Sequence, residues 1–110
     1  MLGVISNFEE WLERLLDRLG VRSYFSVAIV SGVEGVEKPD RRIFELAMDR
    51  AGVTPEVSVY VGDNPEFDVG PALAAGMYPV LLDRRQRFPD APEPRITSMA
   101  ELPALLGIVR

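Results

Sequence analysis

Two carboxylates, Asp63 and Asp68, stand five residues apart just after the apolar run Val59, Tyr60, Val61 and the glycine Gly62, with a third acid, Glu66, between them. Lys38 lies in the string EKPD, and Ser6 and Asn7 close the apolar stretch near Met1. Carboxylates suit a hard cation such as Mg2+, which takes one or two protein oxygens and keeps much of its water. A hydroxyl, an amide and an ammonium suit phosphate oxygens. Brought to one place, these groups would make a site for phosphate and magnesium.

Composition narrows the chemistry further. The chain has 110 residues, 47% of them hydrophobic and 26% charged, which fits one ordinary globular domain. Its net charge of −5 disfavours nucleic acid and anionic membrane surfaces, where affinity comes largely from Lys and Arg. It contains no Cys and no His, so disulfides, thiolate zinc sites and imidazole catalysis are excluded. Any catalysis must rest on Asp, Glu, Lys, Ser or Tyr. No apolar run approaches the ~20 residues of a membrane span, and no cleavable leader opens the sequence, so a cytoplasmic protein is expected.

The site residues need elements to carry them. MLGVISN reads as a short strand, followed by a helix capped by Asn7 with Glu10 three residues on. Trp11, Leu12, Leu15, Leu16 and Leu19 form its buried stripe, and Gly20 stops it. SVAIVSGV is a second strand. Pro39 marks the start of a helix with its stripe at Ile43, Phe44, Ala47, Met48 and Ala51, ended by Gly52. VSVYVG is a third strand, with a short helix expected over residues 69–75, and YPVLLD is a fourth. The run RRQRFPDAPEPR reads as a solvated loop rather than an anion-binding patch, given the net acidity and its prolines. ITS is a possible fifth extended piece, and Ser98 with Glu101 makes a second capping box.

Apolar strands alternating with helices predict an α/β fold: a three-layer, Rossmann-like parallel sheet of about four strands, with helices on both faces and no second domain. Ligands bind such sheets at the carboxyl ends of the strands. Ser6, Asn7, Ser31, Lys38, Asp63, Asp68 and Asp83 fall at or soon after those ends. Each has a plainer reading: Ser6 and Asn7 as helix caps, Asp63 and Asp68 as turn residues, Lys38 as a surface lysine. Glu66 and Asp83 are read as solvated rather than functional.

GVISN, SGVEGVEKPDRRIF, VYVGDNPEFDVGPALAAGM and PVLLDR, in that order and spacing, resemble the second, third and fourth motif regions of the haloacid dehalogenase superfamily of phosphohydrolases. The resemblance spans almost the whole chain. It implies that Ser6 hydrogen-bonds the transferred phosphoryl group with help from Asn7. Lys38 would stabilise charge on nucleophile and phosphate, Asp63 would ligate Mg2+, and Asp68 would support the metal through its waters or through Lys38.

The family's first motif, DxDx(T/V), has no counterpart here. None of Asp17, Asp40, Asp49, Asp63, Asp68, Asp83 and Asp90 is followed two residues later by another Asp. The resemblance therefore implies the C-terminal portion of a core domain, without nucleophile or cap, and negligible phosphatase activity from this chain alone. It also implies a gap between the Ser6 strand and the Asp63 strand, since the missing strand would lie there. Unpaired buried backbone groups cost about 1–3 kcal/mol each against a total stability of ~5–15 kcal/mol, so the gap should be closed or filled. Direct pairing of the flanking strands, a complementing N-terminal fragment, or a homodimer exchanging segments would do so; the last is preferred. The expected ligand is phosphate or a small phosphorylated molecule. The alternative is a non-catalytic phosphate-binding or protein-interaction module. A phosphoacceptor receiver domain is disfavoured, because GVISN offers no acidic pair.

Overall fold

A computed structural model describes residues 1–107. Five strands are present, parallel within their sheets: β1 (Gly3–Ser6), β2 (Val27–Val30), β3 (Val59–Gly62), β4 (Tyr78–Leu82) and β5 (Arg95–Ile96); helices separate the first four, and a loop joins β4 to β5. They form two sheets rather than one. β1 pairs with β2 in the register Val4 to Ala28 and Ile5 to Ile29, and β3, β4 and β5 form the second sheet in that order. Among the described residues β1 and β3 do not pair, so direct closure of the gap is not how this chain folds. Of the expected ITS piece only Ile96 lies in a strand, since β5 is formed by Arg95 and Ile96.

The consequence is visible in burial. Val30 of β2 and Val80 of β4 are shut off from solvent, whereas Val59 of β3 is 40% exposed. A cleft of about 370 Å3 lies between the sheets. Gly3, Val4 and Ile5 stand on one side, residues 57–60 on the other, and Ala47, Met48 and Ala51 at its base.

Helix α3 (Arg42–Ala51) bridges the two halves. Ile43, Phe44, Ala47 and Met48 recur at helical spacing and are all buried, and they join Ile29, Ala72, Ala75 and Met77 in one core cluster. Phe44 meets Tyr60 of β3 edge-on at 4.8 Å between ring centroids. Full burial of such an aromatic side chain contributes about 1.5–3 kcal/mol. Gly52, at φ 69°, ends the helix in the left-handed cap that glycine adopts without strain.

α1 (Leu12–Arg18) departs from expectation. It begins at Leu12, not after Asn7, and its first turn has no side-chain cap. Asn7 is unavailable because its amide is bound elsewhere, as described below. Trp11, expected in the core, is 41% exposed and packs edge-on against Phe8 at 4.9 Å. Only Leu12 of the expected stripe is fully buried, and Leu19 is exposed. A two-stranded sheet gives this helix little surface to cover.

Helix α2 (Ser31–Glu34) is a single turn after β2, and α4 (Gly70–Ala74) follows β3. The capping box at Ser98 and Glu101 forms as read, ahead of α5 (Leu102–Leu105). No described helix is long and apolar enough to cross a membrane.

Candidate functional site

The turn after β3 builds the acidic side of the site. Asn64 accepts the Glu66 and Phe67 N–H groups on its side-chain oxygen, both at 2.9 Å, and its carbonyl accepts those of Asp68 and Val69. The last of these bonds spans five residues, so residues 65–69 form one π-helical turn. That turn folds Asp68 back over Gly62, whose missing side chain is what makes room: a Cβ there would collide with the Asp68 side chain.

Asp68 is buried, and both of its oxygens are engaged. Oδ1 takes the Lys38 ammonium at 2.6 Å and the Tyr60 hydroxyl at 3.3 Å, and Oδ2 takes the Asn64 N–H at 3.1 Å. Asp63, by contrast, is exposed and has no ion-pair partner among the described residues.

Lys38 lies in the connection between α2 and α3, and Asn7 fixes it from 31 residues away. The Asn7 amide donates to the Lys38 carbonyl at 2.9 Å, while its oxygen accepts the Lys38 N–H at 2.8 Å. Asn7 therefore positions Lys38. Ser31 acts similarly on the neighbouring loop, accepting the Phe8 N–H at 3.0 Å and donating to the Phe8 carbonyl.

Tyr60 joins the two sheets at this level. Its hydroxyl accepts from Lys38 at 3.3 Å and lies 3.4 Å from the Ile5 carbonyl of β1. Burial raises its pKa well above the ordinary tyrosine range, and the Asp68 charge, the hydrogen bond to Asp68 and the Asp63 charge raise it further. It stays a neutral donor.

Lys38, Tyr60, Gly62, Asp63 and Asp68 line one cavity of about 620 Å3, with Ile5 of β1 beside them. Of the five residues singled out from sequence, the structure thus gathers Lys38, Asp63 and Asp68. Ser6 and Asn7 follow Ile5 in the chain but are not among the lining residues. The Ser6 hydroxyl has no hydrogen-bond partner among the described residues.

Asp83 corrects the sequence reading. It is 3% exposed rather than solvated, and it organises the loop after β4. Its carboxylate accepts the Arg87 and Phe88 N–H groups at 2.8 and 2.9 Å and the Arg95 guanidinium at 3.2 Å. Burial on its own would raise its pKa. The Phe88 and Arg87 N–H groups and Arg95 outweigh that and hold it below the ordinary 3.8. Glu66, read the same way, is indeed exposed.

No group of three or more acidic side chains is arranged to hold a metal ion among the described residues. The donors that are present fit a loosely held hard cation. Asp63 is one free carboxylate and Asp68 is a neighbour already committed to Lys38, which suits an ion that retains most of its water.

Parallel strands with charged side chains gathered beyond their carboxyl ends define an α/β, Rossmann-like core. The chain belongs to the haloacid dehalogenase-like hydrolases, whose family model matches residues 2–76. It is 36% identical over 104 residues to haloacid dehalogenase-like hydrolase domain-containing protein 3 of Mus musculus, a match covering 94% of this chain and 41% of that protein. It is 45% identical over 93 residues to a phosphoserine phosphatase of Thermus thermophilus, covering 84% of this chain and 37% of that enzyme. The solved structure of a haloacid dehalogenase-family phosphatase from Thermococcus onnurineus superposes with a TM-score of 0.86 at 30% identity, covering 96% of this chain and 50% of that one. The chain thus spans about two fifths of the length of these two curated relatives.

Proposed function

We propose that this chain is the phosphate- and magnesium-binding part of a phosphohydrolase acting on small phosphomonoesters through an aspartyl-phosphate, with the attacking aspartate supplied from outside the residues of this chain. The observation that carries the reading is the buried Lys38–Asp68 pair with the unpaired Asp63 beside it in one cavity. A carboxylate left free where a phosphate dianion would sit repels that dianion unless a cation intervenes.

The residues divide the work. Asp68 and Asn7 hold Lys38 still, one through the ammonium and the other through the peptide groups, so its charge meets the phosphoryl oxygens without reorganising. Ser6 has a free hydroxyl for a phosphoryl oxygen. Asp63 would hold magnesium, which would neutralise phosphoryl charge when bound. Tyr60 stays protonated and braces the Lys38–Asp68 pair.

The cavity has no spare carboxylate for attack. Asp68 and Asp83 have their oxygens engaged, and Asp63 is taken as the ligand. The cleft between β1 and β3 offers two strand edges to an added segment: an N-terminal fragment carrying the nucleophile would complete the site, whereas an exchanged segment in a homodimer would fill the gap without supplying the attacking aspartate. Loss of a covalent nucleophile costs about 10⁶ in rate, so the chain alone is expected to turn over p-nitrophenyl phosphate with Mg2+ at background. Adding a separately expressed fragment that carries the aspartate strand should restore Mg2+-dependent release and form a stable complex. If neither appears, the hydrolase reading fails. Turnover by the chain alone, abolished by Asp63→Ala, would show that another carboxylate attacks.

The same lack of a free nucleophile favours, as a second reading, a phosphate-binding module without catalysis. Calorimetry showing no heat with phosphate, phosphoesters or Mg2+ would exclude that reading.

A further inference from the structure

The cavity lined by Lys38 and Asp68 is also lined by arginines. Arg84, Arg85 and Arg87 all line it and all are exposed. Among the described residues none of the three has a carboxylate partner; Arg14 and Arg18 also lack one, but they do not line this cavity. The local charge is therefore reversed. In a chain with 17 acidic and 12 basic side chains, four cations line this one cavity against three carboxylates, and one of those, Asp83, is neutralised by Arg95.

The arginines stand on a built loop. Asp83 draws the Arg87 and Phe88 N–H groups onto its buried carboxylate, and its carbonyl accepts the Gln86 N–H at 3.1 Å. Gln86 takes a left-handed conformation, φ 53°, which turns the chain back so that Arg87 can reach Asp83. Arg87 also rests over the Phe88 ring at 5.5 Å, which restricts it further.

We propose that the loop of Arg84, Arg85 and Arg87 binds a second oxyanion of the substrate, so that the preferred substrates are small phosphomonoesters carrying an additional carboxylate or phosphate. This rests on the phosphoryl site proposed above and adds the substrate class to it. The planar guanidinium fork matches either oxyanion bidentately. Asp83 is a positioning residue, acting through the backbone of the loop.

The test is an NMR titration of the 15N-labelled chain in Mg2+ buffer with three probes that share one phosphoryl group and a three-carbon spine: propyl phosphate, 3-(phosphonooxy)propanoate and propane-1,3-diyl bisphosphate. All three should shift the Gly62 and Asp63 amide signals, but only the latter two should shift the Arg84, Arg85 and Arg87 Nε–H signals. Exposed ion pairs are weak individually, so the expected preference for the acid-bearing probes is about three- to tenfold, falling as salt is raised. Arg84→Gln/Arg85→Gln/Arg87→Gln lowers the cavity's positive charge for every probe, so the readout is the ratio of affinities: the preference of the acid-bearing probes over propyl phosphate should disappear. Which acid-bearing probe binds tighter separates carboxylate from phosphate as the second group. Equal binding of all three probes, or a preference that survives the triple variant, overturns the proposal and leaves the phosphoryl site standing. If propyl phosphate fails to shift Gly62 and Asp63, the phosphoryl site falls and the proposal with it.

Discussion

Lys38→Met isolates what the buried ion pair does for the fold. The Lys38 and Asp68 side chains are 14% and 5% exposed, and their 2.6 Å contact is the shortest bond either makes. Removing the ammonium leaves Asp68 buried, with only the Tyr60 hydroxyl at 3.3 Å and the Asn64 N–H at 3.1 Å for compensation. Breaking a buried pair from one side costs about 3–5 kcal/mol, against about 0–1 kcal/mol for a surface pair. For a domain of ~5–15 kcal/mol that is a large share, and at about 4–8 °C per kcal/mol it should lower Tm by well over 10 °C. Urea unfolding of the wild type, Lys38→Met, Asp68→Asn and the double variant measures it. Because the neutral amide no longer needs a cation, the double variant should cost about 2 kcal/mol less than the sum of the singles. A Lys38→Met cost under about 1 kcal/mol, or additivity within about 0.5 kcal/mol, would refute the claim that Asp68 depends on Lys38.

Gly62→Ala should displace Asp68, because the new Cβ would stand 2.7 Å from Oδ2 and closer still to the Asp68 carbons. A loss of about 1–3 kcal/mol is expected in denaturant unfolding, and a cost near zero would mean the turn relaxes freely. Tyr60→Phe removes the hydroxyl that links Ile5 of β1 with Lys38 and Asp68, and should cost about 0.5–1.5 kcal/mol by the same measurement. The Asp83 pKa is lower folded than unfolded, so its contribution to stability is full above its unfolded value of 3.8 and is lost as pH falls through the folded one. The unfolding midpoint of Asp83→Asn should therefore depend less on pH than the wild type's in the region below about pH 4, and parallel acid limbs would contradict that.

Much of this arrangement is readable from local pattern. The stripe of α3 appears at helical spacing, and its four buried residues are those the periodicity selects. Asp63 and Asp68 follow a strand, and Lys38 precedes a helix, so parallel topology brings them to one rim. What the pattern does not contain is the partner of a side chain that reaches across the chain. Asn7 has the residue type and spacing of a helix cap, yet its amide matches the Lys38 peptide better, and that peptide is 31 residues away. Trp11 sits at an apolar position of the expected stripe, but α1 begins one residue later, and Trp11, at its N-cap, packs on Phe8 instead. Asp83 sits before a run of arginines and prolines that reads as solvent-exposed, and its burial follows from the loop folding over it and from Arg95, which β5 brings alongside β4. Tyr60 reads as one more apolar strand residue. Its hydroxyl matters because the fold sets it among Lys38, Asp68 and the Ile5 carbonyl.

The two carboxylates of the opening motif therefore have different tasks even though five residues separate them. Burial is what divides them. Asp68, turned inward by the π-helical turn and seated against Gly62, spends its charge on Lys38 and fixes that ammonium at the cavity. Asp63 faces solvent and keeps its oxygens free. A single glycine and a single asparagine produce that division, since Gly62 admits the inward carboxylate and Asn64 closes the turn that delivers it.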